Sequence, residues 1–178
     1  MPDKVKLATV WLDGCSGCHM SFLDLDERLI ELGEVADLVY SPLVDHKQFP
    51  DMVDVTLIEG GVASADDLAK LRKVRAHSRV IVAFGDCAIT ANVPGMRNPF
   101  GKRAVLERAY LENADENQML PNEVVPELLD PIRPVQYYVP VDAYLPGCPP
   151  SADEIWTCVT ELLAGNVADA SGTARFGR

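Results

Sequence analysis

Short apolar segments alternate with helical patterns along most of this sequence, and that alternation constrains the fold more than any other feature. Four such segments cover residues 4–11, 35–40, 53–58 and 79–84, and their apolar and β-branched content predicts buried strands. Strands separated by helices usually pair in parallel, with the helices packed on both faces. The sequence therefore predicts an α/β fold built on a doubly wound parallel sheet.

Helical spacing of apolar residues fills the gaps between these strands. The predicted helices lie at residues 20–32, after the N-cap Ser64, at residues 103–111, and from the capping box of Ser151 and Glu154 through Leu163. Gly33 is the predicted stop of the first helix. This succession of strands and helices favours the flavodoxin-like strand order.

A proline-rich stretch interrupts the pattern in the second half of the chain. Four prolines between Pro121 and Pro134 exclude a long helix, so we predict a surface excursion with one short helix over residues 124–129. The stretch is either a surface for a partner or a harmless insertion. A last strand is predicted over residues 136–141.

Length and charge limit the possible classes of protein. The 178 residues predict one flavodoxin-like domain over residues 1–165, followed by a mobile C-terminal tail over residues 166–178. The net charge of −11 disfavours binding to nucleic acid or to an anionic membrane surface. No apolar run approaches the ~20 residues of a membrane span. The N-terminal residues carry no export signal, so we expect a cytoplasmic location.

Four of the five cysteines lie in or beside glycine-containing turns, three of them after predicted strands: Cys15, Cys18, Cys87 and Cys148. Turns at the carboxyl ends of parallel strands meet at one edge of the sheet, where ligands usually bind. Cytosolic thiols stay reduced, so metal or redox chemistry is favoured over structural disulfides. We therefore predict one [4Fe–4S] cluster at this edge, with these four cysteines as its ligands. The neighbouring glycines would let backbone N–H groups approach the cluster sulfurs.

Three other interpretations stay open at this point. Zinc also takes four cysteines, although structural zinc sites usually use two close pairs, and only Cys15 and Cys18 form one here. A thioredoxin-like dithiol would use the same pair and leave Cys87 and Cys148 without a role. Flavin binding at the glycine pair after the third strand lacks a phosphate-binding motif.

Other polar residues near the same edge are weaker candidates. Asp13 and Glu59 stand at strand ends, where a carboxylate could relay protons, shape an interface or simply cap a turn. His19 follows Cys18 and could contact the cluster or a partner, or be partly solvated. Cys158 lies within the last helix and is predicted to be a small buried hydrophobic residue.

Three motifs resemble those of one known family. They are WLDGCSGCHMSF at residues 11–22, GDCA at residues 85–88 and PGCPP at residues 146–150. Together they resemble the small subunit of [NiFe]-hydrogenases, most closely the short cytoplasmic form found in NAD-reducing enzymes. The resemblance extends from Val5 to about Leu163.

The resemblance implies a specific role in a larger complex. It implies that Cys15, Cys18, Cys87 and Cys148 hold the proximal [4Fe–4S] cluster of a hydrogen:NAD⁺ oxidoreductase. The Ni–Fe centre then belongs to a separate large subunit, and a diaphorase module carries further Fe–S clusters, FMN and NAD. The chain is expected to conduct electrons between these partners and to contribute no catalytic residue.

Two related groups differ from this sequence in informative ways. Exported hydrogenase small subunits carry a twin-arginine signal and a second, cysteine-rich domain that this sequence lacks, so we expect electrons to leave to a cluster on a partner. The 20-kDa subunit of complex I shares the motif at residues 147–150, but it has adjacent cysteines where this chain has Cys15-x-x-Cys18. The complex I subunit is therefore the second candidate family.

Overall fold

Five strands pair in parallel to form the central sheet, and two more form a small antiparallel sheet beside it. The computed structural model describes residues 4–167. The strands are β1 Val5–Trp11, β2 Ala36–Tyr40, β3 Val53–Glu59, β4 Val62–Ser64, β5 Ser78–Phe84, β6 Leu128–Arg133 and β7 Ala143–Leu145. The central sheet has the order β2-β1-β3-β5-β7, which is the predicted flavodoxin-like order.

Helices cover both faces of the central sheet. They are α1 Gly17–Leu23, α2 Arg28–Val35, α3 Ala65–Ala76, α4 Asp86–Thr90, α5 Gly101–Glu107 and α6 Ala152–Leu163. One π-helical turn, Arg108–Glu112, extends α5, and two 3₁₀ turns lie at Pro94–Arg97 and Val135–Tyr137. The predicted doubly wound α/β class is therefore confirmed.

Alternating residues of each strand supply the two halves of the hydrophobic core. Leu57 and Phe84 pack on one face with side chains of α1, α2 and α6. Their neighbours Ile58 and Ala83 pack on the other face with side chains of α3 and α4. Because successive side chains of a strand point to opposite faces, a sheet buried on both sides needs nearly continuous apolar strands. The β3 and β5 sequences meet that requirement.

Both predicted helix caps are present: the capping box at Ser151 is confirmed, and the predicted N-cap Ser64 forms a capping box as well. The Ser64 hydroxyl accepts a hydrogen bond from the Asp67 N–H at 3.1 Å, and the Asp67 carboxylate accepts one from the Ser64 N–H at 2.9 Å. Ser151 and Glu154 make the same reciprocal pair at the start of α6. These pairs satisfy N–H groups that a helix leaves without internal partners, and they fix where α3 and α6 begin.

The predicted helix over residues 20–32 is wrong as one element. Asp26 has a φ of 51°, and this left-handed residue separates α1 from α2. The break lets Leu25 turn into the core, where it is 3% exposed. Gly33 is not a stop either, because α2 continues through it to Val35. An exposed glycine weakens a helix by only about 1 kcal/mol, so it does not have to end one.

The structure also corrects the predictions for the proline-rich region. Residues 124–129 form no helix, because Val124 has a φ of 61° and the chain enters β6 at Leu128. The strand predicted over residues 136–141 is absent, since Pro140 cannot donate to a sheet and β7 forms at Ala143–Leu145 instead. The short elements β4 and α4 had no counterpart in the sequence-based prediction.

Two further predictions concern membranes and the C-terminus. Within residues 4–167, no helix has both the length and the apolar character needed to cross a membrane. The predicted mobile tail covers residues 166–178, and residues 168–178 lie outside the part of the chain that the structure describes.

Candidate metal centre

Three loops at the carboxyl edge of the central sheet each present a cysteine or a cysteine pair. Cys15 follows β1, Cys18 lies in the first turn of α1, Cys87 begins α4 after β5, and Cys148 follows β7. The charges of the other three cysteines all act on the Cys18 thiol, so the fold brings the four together. We call Cys15, Cys18, Cys87 and Cys148 the four-cysteine site.

Half of this site is buried and half faces the surface. Cys18 and Cys87 are 7% and 8% exposed, whereas Cys15 and Cys148 are exposed. A group held by all four thiols would therefore sit at the surface of this chain with one side embedded in it. Such a position allows electrons to pass between the group and a partner molecule.

Two glycines leave the room that the sulfurs occupy. A Cβ atom on Gly85 would collide with Cys18 Sγ, and the φ of 82° at Gly85 also disfavours any other residue. A Cβ atom on Gly17 would lie 3.2 Å from Cys15 Sγ. The glycines beside the cysteines therefore keep the sulfurs accessible to a ligand of some size.

Three of the thiols accept hydrogen bonds from nearby N–H groups. The Gly17 backbone N–H lies 3.4 Å from Cys15 Sγ, and the Asn92 side-chain amide lies 3.5 Å from Cys148 Sγ. The Val93 backbone N–H donates to Cys87 and opposes the increase in its pKa that burial causes. Donors of this kind stabilise negative charge on sulfur and tune the potential of a bound cluster.

Burial opposes the negative charge that metal binding requires. Burial, followed by the charge of Glu59 and those of the other cysteines, raises the pKa of Cys18 well above its usual range. Burial is also the main cause of the raised pKa of Cys87. Because metal ligands must be thiolates, these two residues need a positively charged partner to become ionised.

The donor set fits a [4Fe–4S] cluster. Four cysteine thiols are the ligands that such a cluster takes, and each one binds a different iron atom. Among the residues that the structure describes, no group of three or more His, Cys, Asp or Glu side chains lies close enough together to hold one metal ion. The cysteines are thus gathered at one edge of the sheet without converging on a single point.

Hydrogen bonds tie the cysteine loops to one another. The Gly85 N–H donates to the Leu145 carbonyl at 2.8 Å, which continues the β5–β7 pairing past the strand ends. The buried Ser21 hydroxyl of α1 donates to the Pro150 carbonyl at 2.6 Å. The Gly147 N–H donates to the Asp86 carboxylate at 2.8 Å. Gly147 therefore does not offer this N–H to a sulfur, unlike the expectation from sequence.

His19 and Glu59 form a buried polar pair beside Cys18. Both residues are 2% exposed, so the possibility that His19 is partly solvated is excluded. Glu59 Oε2 accepts hydrogen bonds from the His19 backbone N–H at 3.1 Å and from the imidazole Nδ1. His19 Nε2 contacts the Thr9 hydroxyl at 2.9 Å, which in turn donates to Ser41 at 2.7 Å. This arrangement holds the first turn of α1 against the ends of β1 and β3.

Asp13 joins the site to the neighbouring loop through its backbone. Its N–H and carbonyl both pair with Gly61, at 3.1 and 2.7 Å. Burial raises the pKa of the Asp13 carboxyl, the charge of Asp67 adds to the increase, and Arg97 opposes it. Asp13 comes shortly before Cys15 in the sequence, but its carboxyl is not among the groups that act on the Cys18 or Cys87 thiol.

Cys158 lies apart from this site. It is fully buried in the core beneath α6, as predicted, and burial raises its pKa to about 12. Its thiol is therefore a neutral core side chain. The sequence did not reveal the pairing of His19 with Glu59 or of Asp86 with Gly147, because each pair is distant in sequence. The only available signal was that Glu59, Asp86 and Gly147 stand at or just after the ends of strands.

The fold and the site together define a flavodoxin-like α/β protein that gathers four cysteines at the carboxyl edge of its sheet. Residues 15–162 match the family described as NADH ubiquinone oxidoreductase, 20 Kd subunit. One chain of the F420-non-reducing hydrogenase of Methanothermobacter thermautotrophicus is 35% identical over 170 residues, which are 93% of this chain and 55% of that protein. This chain thus spans little more than half the length of several archaeal relatives.

Two other relatives are covered over most of their length. The delta subunit of the NAD-reducing hydrogenase HoxS of Cupriavidus necator is 35% identical over 171 residues, which are 93% of this chain and 82% of that protein. A crystal structure of an NAD⁺-reducing [NiFe]-hydrogenase in the H₂-reduced state contains a chain that is 42% identical, with a TM-score of 0.88. That match covers 92% of this chain and 93% of the other.

The chain belongs to the family of the NADH ubiquinone oxidoreductase 20 Kd subunit and, within it, to the hydrogenase small subunits. The resemblance inferred from the three sequence motifs is therefore confirmed.

Proposed function

We propose that this chain is the electron-transfer small subunit of an NAD-reducing [NiFe]-hydrogenase. In this proposal, Cys15, Cys18, Cys87 and Cys148 hold one proximal [4Fe–4S] cluster. The Ni–Fe centre lies on the large subunit, and a diaphorase module carries further Fe–S clusters, FMN and NAD. The 42% identity to a chain of an NAD⁺-reducing [NiFe]-hydrogenase supports this assignment, and we expect the complex to be cytoplasmic.

The observation that carries the proposal is that three separate loops bring four thiols together at one sheet edge. When bound, a [4Fe–4S] cluster accepts and releases one electron at a time. The chain supplies the four ligands and the N–H donors of Gly17, Val93 and Asn92, and it buries the Cys18 side of the cluster. It contributes no catalytic residue to hydrogen splitting in this proposal.

Exposed apolar side chains in the segment after Cys87 support an interface with a partner. Val93, Met96 and Phe100 are 48%, 71% and 72% exposed, and the backbone of Val93 contacts Cys87. Exposed apolar residues that form a contiguous patch often mark an interaction site. We assign this segment to the interface with the hydrogenase large subunit. The predicted partner surface at the proline-rich stretch stays a prediction.

The same geometry disfavours the dithiol alternative. A reactive cysteine of a thiol–disulfide oxidoreductase needs a lowered pKa, because the thiolate is the nucleophile. Burial raises the pKa of Cys18 instead, which makes Cys18 unsuited to be that nucleophile. A dithiol enzyme would also leave Cys87 and Cys148 without a role. The alternative of a complex I-like electron-transfer subunit would bind its cluster with the same four thiols of this chain and differs in the metal content of its partner.

Metal analysis of the anaerobically purified native complex tests the proposal. We expect iron and acid-labile sulfide with this chain, and nickel with a co-purifying large subunit. Iron and sulfide without nickel would favour the complex I-like subunit, and zinc alone would favour a zinc-stabilised interaction module. Absence of all metals would contradict electron transfer altogether.

Single serine variants then test the ligand set. Cys15→Ser, Cys18→Ser, Cys87→Ser and Cys148→Ser are each expected to lower the iron content of the complex. Cys158→Ser is the matched control, because Cys158 is buried in the core and none of the other four cysteines acts on its thiol, and it is expected to keep its iron. Unchanged iron in Cys87→Ser and Cys148→Ser would support the dithiol alternative instead.

A further inference from the structure

We propose that Asp86 is a positioning residue that fastens the Cys148 loop to the start of α4, and that its negative charge lowers the reduction potential of the cluster. The inference rests on the proposed function, because it concerns the group that the four-cysteine site would hold. Asp86 precedes Cys87, and Gly147 precedes Cys148. A contact between these two residues therefore acts on two ligands at once.

The contact is reciprocal. The Asp86 backbone N–H donates to the Gly147 carbonyl at 2.9 Å, and the Gly147 N–H donates to the Asp86 carboxylate Oδ1 at 2.8 Å. The first bond uses only backbone atoms and survives any substitution that leaves the loop in place. The second bond depends on the side chain, so a variant can remove it selectively.

The Cys148 loop has few ways to be anchored by its backbone. Three of the five residues over 146–150 are prolines, which have no N–H to donate. Gly147 has a φ of 143°, so this short segment also contains a residue with unusual conformational freedom. The Asp86 carboxylate binds one of only two backbone N–H groups in the segment. Losing this acceptor leaves Cys148 less well placed to reach a cluster that Cys87 also binds.

The charge of Asp86 acts on the cluster as well. The carboxylate belongs to Asp86, which precedes the ligand Cys87 in the sequence. It also lies at hydrogen-bond distance from Gly147, the residue that precedes the ligand Cys148. Reduction adds a negative charge to the cluster, and a nearby carboxylate opposes that addition. The N–H donors of Gly17 and Asn92 have the opposite effect on the potential.

Two substitutions separate the hydrogen bond from the charge. Asp86→Asn keeps an oxygen that accepts from the Gly147 N–H and removes the charge. Asp86→Ala removes both. Asp37→Asn is the matched control, because Asp37 lies near the start of β2, at the opposite edge of the sheet, and loses the same charge. The complex is purified anaerobically for each variant, and co-purification of the partner subunits checks that the chain is folded.

Iron and sulfide per complex, and the midpoint potential from an EPR-monitored redox titration, are the measurements. We expect Asp86→Asn to keep its cluster with the potential shifted upward, and Asp37→Asn to match the wild type in both. Asp86→Ala is expected to retain its cluster about 10- to 100-fold less well, as is typical when a residue that supports a ligand is lost.

The possible results distinguish this inference from the proposed function. A wild-type complex without iron and sulfide contradicts the function itself. With a loaded wild type, an unshifted potential in Asp86→Asn overturns the charge effect. Loss of the cluster in Asp86→Asn overturns the positioning role, because the amide keeps the acceptor for the Gly147 N–H. Wild-type iron retention in Asp86→Ala overturns the positioning role.

Discussion

The Glu59 carboxylate accepts a hydrogen bond from the backbone N–H of His19 at 3.1 Å, which joins the end of β3 to the first turn of α1. The same oxygen bonds the His19 imidazole, so one buried carboxylate satisfies two donors of one residue. Cys18 precedes His19 and is fixed by this contact. The conformation of the first cysteine loop thus depends on a residue from another strand.

Removing the Glu59 side chain should destabilise the protein. Glu59→Ala leaves the buried His19 N–H without its acceptor, which costs about 1–3 kcal/mol. Glu59→Gln keeps an accepting oxygen and should lose less. We expect the melting temperature of the purified complex to be highest for the wild type, lower for Glu59→Gln and lowest for Glu59→Ala. Glu31→Ala, on the exposed face of α2, is the control and should melt like the wild type. A Glu59→Ala variant that melts at the wild-type temperature would show that the His19–Glu59 pair does not stabilise the protein.

Gly85 cannot be replaced without disturbing the site. In Gly85→Ala, the new Cβ would meet Cys18 Sγ, and the φ of 82° is unfavourable for alanine. We expect iron and sulfide per complex to fall sharply. Gly33→Ala is the matched control, since no atom lies within 4 Å of a Cβ at that position. It should keep its iron, and a fully loaded Gly85→Ala would show that the sulfurs are not held as described.

The Asn92 amide should raise the potential of a cluster bound by Cys148. Its N–H lies 3.5 Å from Cys148 Sγ and stabilises negative charge there. Asn92→Leu should therefore shift the midpoint potential downward in a redox titration. Asn122→Leu, in the exposed loop before β6, makes the same chemical change away from the site and should leave the potential unchanged. An equal shift in both variants would point to a non-specific effect.

Cys158 should resist alkylation in the folded protein. Its pKa is raised to about 12 by burial, so at pH 8 the thiol stays protonated, whereas the thiolate is the reactive form. Iodoacetamide at pH 8 should leave Cys158 unmodified in the native complex and modify it after unfolding in guanidinium chloride. Peptide mass spectrometry measures both. Rapid modification under native conditions would mean that α6 opens readily.

Four strands of the central sheet, β1, β2, β3 and β5, were predictable because they are short, largely apolar runs between helical segments. The fifth, β7, was expected over residues 136–141 and forms at Ala143–Leu145 instead. The starts of α3 and α6 were predictable from Ser64 and Ser151, whose capping boxes are local in sequence. Apart from α5, the elements between β5 and β7 could not be predicted from the sequence. They are short, the prolines among them remove N–H donors, and β6 exists only because β4 pairs with it.

The candidate site shows the same division. The four cysteines could be selected because each stands in a loop at the carboxyl end of a strand, which the periodicity of the sequence already indicates. The contacts of Glu59 with His19 and of Asp86 with Gly147 span long separations and depend on strand order. Periodicity carries no information about such pairs.

The position of β7 has a consequence for how the protein is made. β7 is the last strand of the central sheet to leave the ribosome, and it completes one margin of that sheet by pairing with β5. Cys148 emerges only after it. A nascent chain that ends before β7 presents three of the four thiols, however well the earlier strands have folded. A cofactor that needs all four thiols can therefore bind only after Cys148 has been translated. A chain that holds this cofactor has accordingly also synthesised the last strand of its central sheet.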